Sequence, residues 1–179
     1  MKPKITVEEL SEDAKKLFEI LSNESDIACV VVGAAYIDEA MAEILTHILK
    51  KSNVSSKMLD TRGILGNFMA RADLLYSFKK ISKSHYQDLC VIAEIRNLFA
   101  HSHLELSFAD KDIQTHCSKL RIWRMPFFVE SDDGEIEYTD DDLSNIARNQ
   151  FNLSVSLLAS RFVLLAMSLK HELKKHNEY

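Results

Sequence analysis

Apolar residues recur at intervals of three and four along most of this chain, and that spacing predicts amphipathic helices. The first helix is predicted over about 7–22, where Thr6 and Glu9 form a capping box. A second, longer helix is predicted from Ile27 to about Lys50, a segment without proline. If wholly helical it is about 36 Å long, which is enough to cross a domain. Its apolar positions are Val30, Val31, Ala34, Ile37, Met41, Ile44, Leu45 and Ile48.

Two further helices are predicted in the middle of the chain, after a polar and irregular stretch over 52–62. One begins at the sequence Gly63-Ile64-Leu65-Gly66. The next opens at a second capping box, Ser84 with Gln87, and ends near His101. Its apolar positions make a wide face that predicts burial on one side of the helix.

The last third of the chain predicts a short helix within 107–120 and then a loop or hairpin excursion over 121–139. Thr139 and Asp142 form an acidic cap for a long final helix. Residues 171–179 are expected to be a basic, frayed tail. The positions predicted to pack inward from the final helix are Leu143, Ile146, Phe151, Val155, Leu158, Phe162, Leu165, Met167 and Leu169.

Glycine and proline are scarce, with four and two copies in 179 residues. Folds made of strands and turns use more of both. We therefore predict an all-α protein: a single domain over 1–179, built as a bundle of about five to seven helices with a long central and a long C-terminal helix. Cys29, Cys90 and Cys117 lack paired spacing and are expected to be reduced core thiols.

The net charge of −5 is unevenly distributed. Eight acidic residues and no Lys or Arg lie within 130–142, so the rest of the chain is slightly basic. This balance is far from that of a typical DNA-binding domain. No apolar run in the sequence reaches the length of a membrane span, so we expect a cytoplasmic protein without a membrane partner.

The strongest candidate chemistry lies in the segment Ile95–His101. Arg96 and His101 are five positions apart, so their side chains stand roughly 140° apart around a helix and can flank one groove. A permanent cation beside an imidazole that titrates near neutrality suits phosphate binding and proton transfer. The pair also fits a structural role, with His101 near the last carbonyls of its helix and Arg96 paired with Glu94, Asp73 or another acidic residue.

Other catalytic arrangements are missing from the sequence. It contains no Gly-rich phosphate loop, no nucleophile elbow and no constellation of paired carboxylates. Its seven histidines are scattered without the spacing of metal ligands. We expect no cofactor and no metal site.

Three stretches of the chain form a recognisable pattern when they are taken together: Gly63–Tyr76, Ile81–Leu89 and Ile95–His101. In their order and spacing they resemble the mannitol operon repressor family, which looks like a branch of the HEPN all-helical superfamily. The similarity is strongest over 59–102, about a quarter of the chain, and continues in 147–151.

Single positions carry the resemblance further. Arg71 stands where the family pattern tends to have arginine, and Arg96 with His101 fits the Arg-x4-His pattern of the superfamily, including the polar Asn97. The sequence departs from the pattern at Ser77-Phe78-Lys79-Lys80, which replaces a more apolar, glycine-containing stretch.

The resemblance implies an all-α, often dimeric protein of a family of transcriptional regulators. A DNA-reading helix is hard to find, because the short turn Asp60–Gly63 precedes a mostly apolar helix. Our main hypothesis is a homodimeric regulator that acts through contacts with another, unidentified protein.

Two alternatives stay open at this point. In the first, the protein is a HEPN-type, metal-independent ribonuclease in which Arg96 and His101 of both subunits cleave RNA. Arg71, Asn97 and His103 then line a groove for RNA or a partner. In the second, the protein binds DNA directly, which its acidic total charge makes the weakest of the three hypotheses.

Overall fold

The computed structural model describes residues 12–102, 106–122 and 140–176, with the side chains of the last segment described over 143–173. Seven α-helices occupy these ranges, which confirms the predicted all-α class with its long central and C-terminal helices. That residues 1–179 form a single domain stays a prediction. The helices are α1 Glu12–Asn23, α2 Asp26–Ile48, α3 Asn53–Leu59, α4 Phe68–Ser77, α5 Lys83–His101, α6 Lys111–Cys117 and α7 Asp140–His176.

Helices α2 and α7 form the centre of the bundle and run side by side in the same direction. Near the start of α2 the Cys29 thiol donates to Asn152 Oδ1 of α7 over 3.0 Å. Near the end of α2, His47 lines one cavity with Lys170, which lies further along α7. Helices α1 and α6 pack on α7, while α4 and α5 pack on α2. The largest side chains that this arrangement buries completely are aromatic: Phe108, Phe151 and Phe162.

A glycine allows the two central helices to approach closely. A Cβ added at Gly33 of α2 would lie 3.2 Å from Val155 Cγ1 and 3.3 Å from Phe151 Cε1 on α7. Any larger side chain at this position would have to displace one of these buried groups.

The caps of the middle helices differ from the sequence prediction. Ser82, rather than Ser84, caps α5: its backbone is extended and its hydroxyl accepts from the His85 N–H over 3.2 Å. Ser84 lies inside the first turn, so the predicted capping box at Ser84 is wrong. The Gly63–Gly66 stretch precedes α4 as a turn, and Asn67 caps that helix by accepting from the Ala70 N–H.

Helix α3 lies within 52–62, which was predicted to be irregular. Ser52 caps it by accepting from the Ser55 N–H over 3.1 Å. Periodicity did not reveal this helix because none of its residues is buried. A capped stretch without proline or glycine is nevertheless sufficient for two helical turns.

The predicted inward face of α7 is only partly correct. Phe151, Val155, Leu158 and Phe162 are buried, but the Met167 side chain is 63% exposed. The sequence Leu164-Leu165-Ala166-Met167 places apolar residues around the whole helix, and one face cannot bury them all.

Two further positions and the end of α7 also differ from the sequence prediction. Leu143 at the start of the helix is exposed, and so is Val31 on α2. Helix α7 continues through 171–176, part of the predicted tail, because nothing in that stretch breaks a helix.

Several predictions lie outside the described residues. These are the start of the first helix with its capping box, His103, the excursion over 123–139 with the cap at Thr139, and the last three residues.

One described stretch, Leu143–Leu173, is long and apolar enough to cross a membrane by length and composition. This stretch differs from the expectation that no apolar run of the chain reaches the length of a membrane span. Half of its most apolar window is buried against the rest of the protein. Its packing against α1, α2 and α6 accounts for that burial.

Candidate functional site

The carboxyl end of α5 carries three of the predicted site residues on its outer surface. Arg96, Asn97 and His101 are all exposed. The opposite side of the helix is buried because its apolar residues recur at helical spacing. The buried apolar residues are Leu89, Ile92, Ala93, Ile95 and Phe99.

An open depression of about 570 Å³ lies beside this end of α5. The structure brings Asn97 and His101 together there, but Arg96 is not among the described lining residues. His116 Nε2 lies 3.6 Å from Glu94 Oε2, and His116 Nδ1 lies 2.7 Å from the Asp112 carbonyl oxygen. The lining consists of Glu94, Asn97, Leu98, His101, Ser102, Leu106 and His116.

Arg96 does not form the expected structural ion pair within the described ranges. Glu94 interacts with His116, and Asp73 Oδ1 accepts from the Tyr86 hydroxyl over 2.7 Å. Both predicted partners of Arg96 are therefore used elsewhere. The Arg96 side chain is exposed on α5.

Arg71 was predicted to line the same groove, and the structure instead buries it on α4 with 7% exposure. One of its nitrogens lies 2.7 Å from Asp38 Oδ2 on α2. Others donate to the carbonyl oxygens of Leu65, at 2.7 Å, and Leu59, at 3.1 Å. Arg71 thus fixes the turn before α4 onto the central helix, and the three polar partners compensate its burial.

Arg148 has a similar structural role at the other end of the bundle, within the 147–151 stretch of the resemblance. Its guanidinium donates to Asp26 Oδ1 over 2.8 Å and to the carbonyl oxygens of Leu21 and Glu24. The other oxygen of Asp26 accepts from the Phe108 N–H over 2.8 Å. The ion pair between Arg148 and Asp26 therefore joins α1, α2, α7 and the segment before α6.

The described residues of this region do not form a catalytic or metal-binding constellation. Among them, no group of three or more His, Cys, Asp or Glu could hold a metal ion. Arg96 and His101 stand in solvent, and nothing in the described part of the chain fixes their side chains. General acid–base catalysis needs a positioned group near its reacting proton.

A second surface feature, an apolar groove between α1, α2 and α7, was not anticipated from the sequence. It encloses about 400 Å³, and Asp13 and Lys16 lie at its rim. Leu164 and Met167 are 61% and 63% exposed in it. The only signal in the sequence was the run of apolar residues around α7. We call this feature the α1–α7 groove; its apolar lining is Ala14, Leu17, Ile20, Tyr36, Ala159, Val163, Leu164 and Met167.

The cysteines are free thiols, as predicted. Cys29 and Cys117 are buried, and Cys90 is half-buried. Burial raises the pKa of Cys29 and that of Cys117 to about 12, so both are protonated at neutral pH. Neither has the reactivity of a thiolate.

The described residues form an all-α bundle with an open depression beside α5 and an apolar groove along α7. The mannitol repressor family matches residues 13–174. The chain belongs to this family of transcriptional regulators, as the sequence resemblance predicted. The match extends well beyond the quarter of the chain on which that resemblance was based.

Two solved structures share the fold. A chain in the X-ray structure of the MtlR–HPr complex from Escherichia coli is 18% identical, with a TM-score of 0.65, over 86% of this chain and 99% of that one. The possible transcriptional regulator YggD from Shigella flexneri 2a is 12% identical, also with a TM-score of 0.65, over 85% of this chain and 99% of that one. The search of curated proteins found no match.

Proposed function

We propose that this chain regulates transcription by binding another protein, and that HPr is the partner to test first. The observation that carries the proposal is the similarity, over nearly the full length of both chains, to a mannitol repressor family fold solved in complex with HPr. The family match supports regulation and adds nothing in favour of RNA cleavage.

The helix that follows the 60–66 turn argues against direct reading of DNA. Helix α4 buries Phe68, Ala72 and Leu75, and its one arginine, Arg71, is buried with them. Base edges are read mainly by exposed Arg, Lys, Asn and Gln side chains. The exposed positions of α4 carry none of these residues.

The α1–α7 groove supports binding to a protein. Large apolar side chains in contact with water are costly unless a partner covers them. Val163, Leu164 and Met167 form such a patch on α7, and Ile20 of α1 extends it. An apolar centre with a polar rim is the usual composition of a protein interface.

The proposal includes a homodimer that works in the cytoplasm. The frequent dimerisation of the family that the sequence resembles supports the first part. A regulator of transcription acts in the compartment that holds the DNA, which supports the second. Light scattering of the purified chain measures its mass in solution and tests the dimer directly.

Calorimetric titration of the chain with HPr from the same organism tests the proposal. We expect saturable binding that Met167→Glu weakens by about tenfold or more, because it puts a charge at the centre of the groove. Val54→Glu is the matched control, since Val54 is 66% exposed on α3, away from the groove.

Each outcome of this titration is informative. Absence of binding to HPr would reject HPr as the partner. Equal losses of affinity for HPr in Met167→Glu and Val54→Glu would show that HPr does not bind at the α1–α7 groove. A gel-shift assay with the control region of the chain's own operon is the parallel test, and tight, salt-dependent binding there would favour direct DNA recognition.

A further inference from the structure

A second surface combines exposed aromatic and basic side chains where α4 ends and α5 begins. Tyr76 is 39% exposed and Phe78 is 45% exposed. Between Leu74 and Gln87 the sequence contains three lysines and no acidic residue. We call this surface the α4–α5 corner; its members are Tyr76, Phe78, Lys79, Lys80 and Lys83, all exposed.

Lys79 has a left-handed backbone, with φ of 55°, a conformation that favours glycine. The Lys80 N–H donates to the Leu75 carbonyl and the Lys79 N–H to the Tyr76 carbonyl. These two bonds form a Schellman motif, whose left-handed position is usually glycine. The chain therefore carries a cation where its own backbone would be more stable with glycine, within the stretch that departs from the family pattern.

Tyr76 is held in a fixed orientation before any partner arrives. Its ring stacks on that of Tyr86, with 4.7 Å between the ring centroids. The Tyr86 hydroxyl donates to Asp73 Oδ1 over 2.7 Å, so this carboxylate of α4 is engaged in holding the stack. An aromatic side chain that is already ordered loses little entropy when it is covered.

Further cations lie next to the corner on other elements. The Arg121 guanidinium donates to Gln87 Oε1 over 2.8 Å on the first turns of α5. Burial and then the positive charge of Arg161 lower the pKa of His85, so α7 contributes another nearby cation. Asp88 is buried and accepts from the N–H groups of Arg121 and Ile122, so it adds little negative charge at the surface.

We propose that the α4–α5 corner is a docking surface for an acidic segment of a partner protein, one that also carries an aromatic or aliphatic side chain. The lysines attract the carboxylates, while Tyr76 and Phe78 receive the apolar group. This surface lies on different elements from the α1–α7 groove, so it goes beyond the proposed binding of HPr. Single-stranded RNA also combines negative charge with flat rings, but it is bound along a continuous basic groove. The corner has only three lysines, a number that suits the few carboxylates of a short acidic protein segment.

Fluorescence anisotropy with two probes tests the proposal on the full chain. The first probe is a labelled peptide in which glutamates flank one phenylalanine, and the second is a single-stranded RNA of equal charge. Two triple variants remove the same charge from different surfaces. The corner variant is Lys79→Gly, Lys80→Gln and Lys83→Gln; the control variant is Lys50→Gln, Lys51→Gln and Lys57→Gln.

We expect the corner variant to weaken binding of the peptide by about tenfold, with little change in the control variant. Met167→Glu should leave this affinity unchanged, which separates a failure at the corner from a failure of the groove. Equal losses in both triple variants, tighter binding of the RNA, or no binding of the peptide would each overturn the proposal. So would tighter peptide binding after the acids over 130–137 are replaced by serine, because the chain's own acidic segment would then be the occupant.

The single variant Lys79→Gly keeps the test independent of folding defects. Glycine adopts the left-handed backbone without steric strain, so this substitution should raise Tm by about 2–4 °C. The same change should weaken peptide binding, since it removes one charge of the corner. A lower Tm would show that Lys79 is retained for the fold, and unchanged peptide affinity would show that its charge has no part in docking.

Discussion

Arg71 on α4 and Asp38 on α2 form the most buried ion pair of the described residues, with 2.7 Å between Arg71 Nη1 and Asp38 Oδ2. The same arginine binds the carbonyl oxygens of Leu59 and Leu65. Arg71, which the sequence resemblance singled out as a groove residue, thus holds the turn before α4 in place.

Replacing Arg71 by lysine should destabilise the protein by about 3 kcal/mol, because a single ammonium cannot reach all the acceptors of the guanidinium. Urea denaturation followed by circular dichroism measures the loss. Arg62→Lys is the control, since Arg62 is exposed in the turn before α4. If both variants shift the urea midpoint equally, Arg71 does not have the role described here.

Gly63→Ala should cost about 3 kcal/mol or prevent folding, since the added Cβ would overlap the backbone carbonyls of Lys57 and Met58. Gly33→Ala should cost much less, because its Cβ would meet side-chain atoms at 3.2 Å or more and alanine favours the helix. Thermal unfolding of the two variants compares them. A larger loss of stability in Gly33→Ala than in Gly63→Ala would contradict this ranking. It would mean that the contact between α2 and α7 has less room for a Cβ than the turn has.

Stability should fall as pH rises from about 9 towards 12. The pKa of the Cys29 thiol is raised by burial from 9.0 to about 12, so over this range the unfolded chain loses a proton that the folded chain keeps. The unfolded state then binds fewer protons, and the free energy of unfolding decreases with pH. Cys117 acts in the same direction.

Cys29→Ser isolates this effect, because a serine hydroxyl can still donate to Asn152 but does not titrate in this range. Urea midpoints measured at several pH values should fall less steeply for the variant than for the wild type. Parallel curves would show that other groups control the alkaline unfolding.

Arg96→Ala and His101→Ala should each change stability by less than about 0.5 kcal/mol, because both side chains are exposed. We also expect no RNA cleavage by the wild type in the presence of EDTA. The assay uses structured and unstructured RNAs, after light scattering has shown that all three proteins have the same mass. Cleavage by the wild type that is lost in both variants would establish the ribonuclease alternative.

The boundaries of the long helices were predictable because their apolar positions repeat over many turns. Helix α2 was expected from Ile27 to about Lys50 and spans Asp26–Ile48. The end of α5 near His101 was likewise correct. Where two serines compete to cap a helix, as Ser82 and Ser84 do, local sequence gave no way to choose between them.

The candidate sites were less predictable, because they depend on which side chains the packing leaves exposed. The sequence could not show that Arg71 is buried while Arg96 is exposed, since both are arginines on helices. It also could not show that Met167 faces water, because a helix that is apolar on all sides gives no signal of orientation.

The sequence by itself determined the all-α class, the long helices and membership of the mannitol repressor family, because these depend on periodicity and on local motifs. Tertiary structure alone decided that Arg71 has a structural role, that an apolar groove opens along α7 and that Lys79 adopts a left-handed backbone. Each of these depends on contacts or conformations that only the packed chain defines. The physical reason is that a side chain's environment is set by residues far away in sequence, such as Asp38 for Arg71.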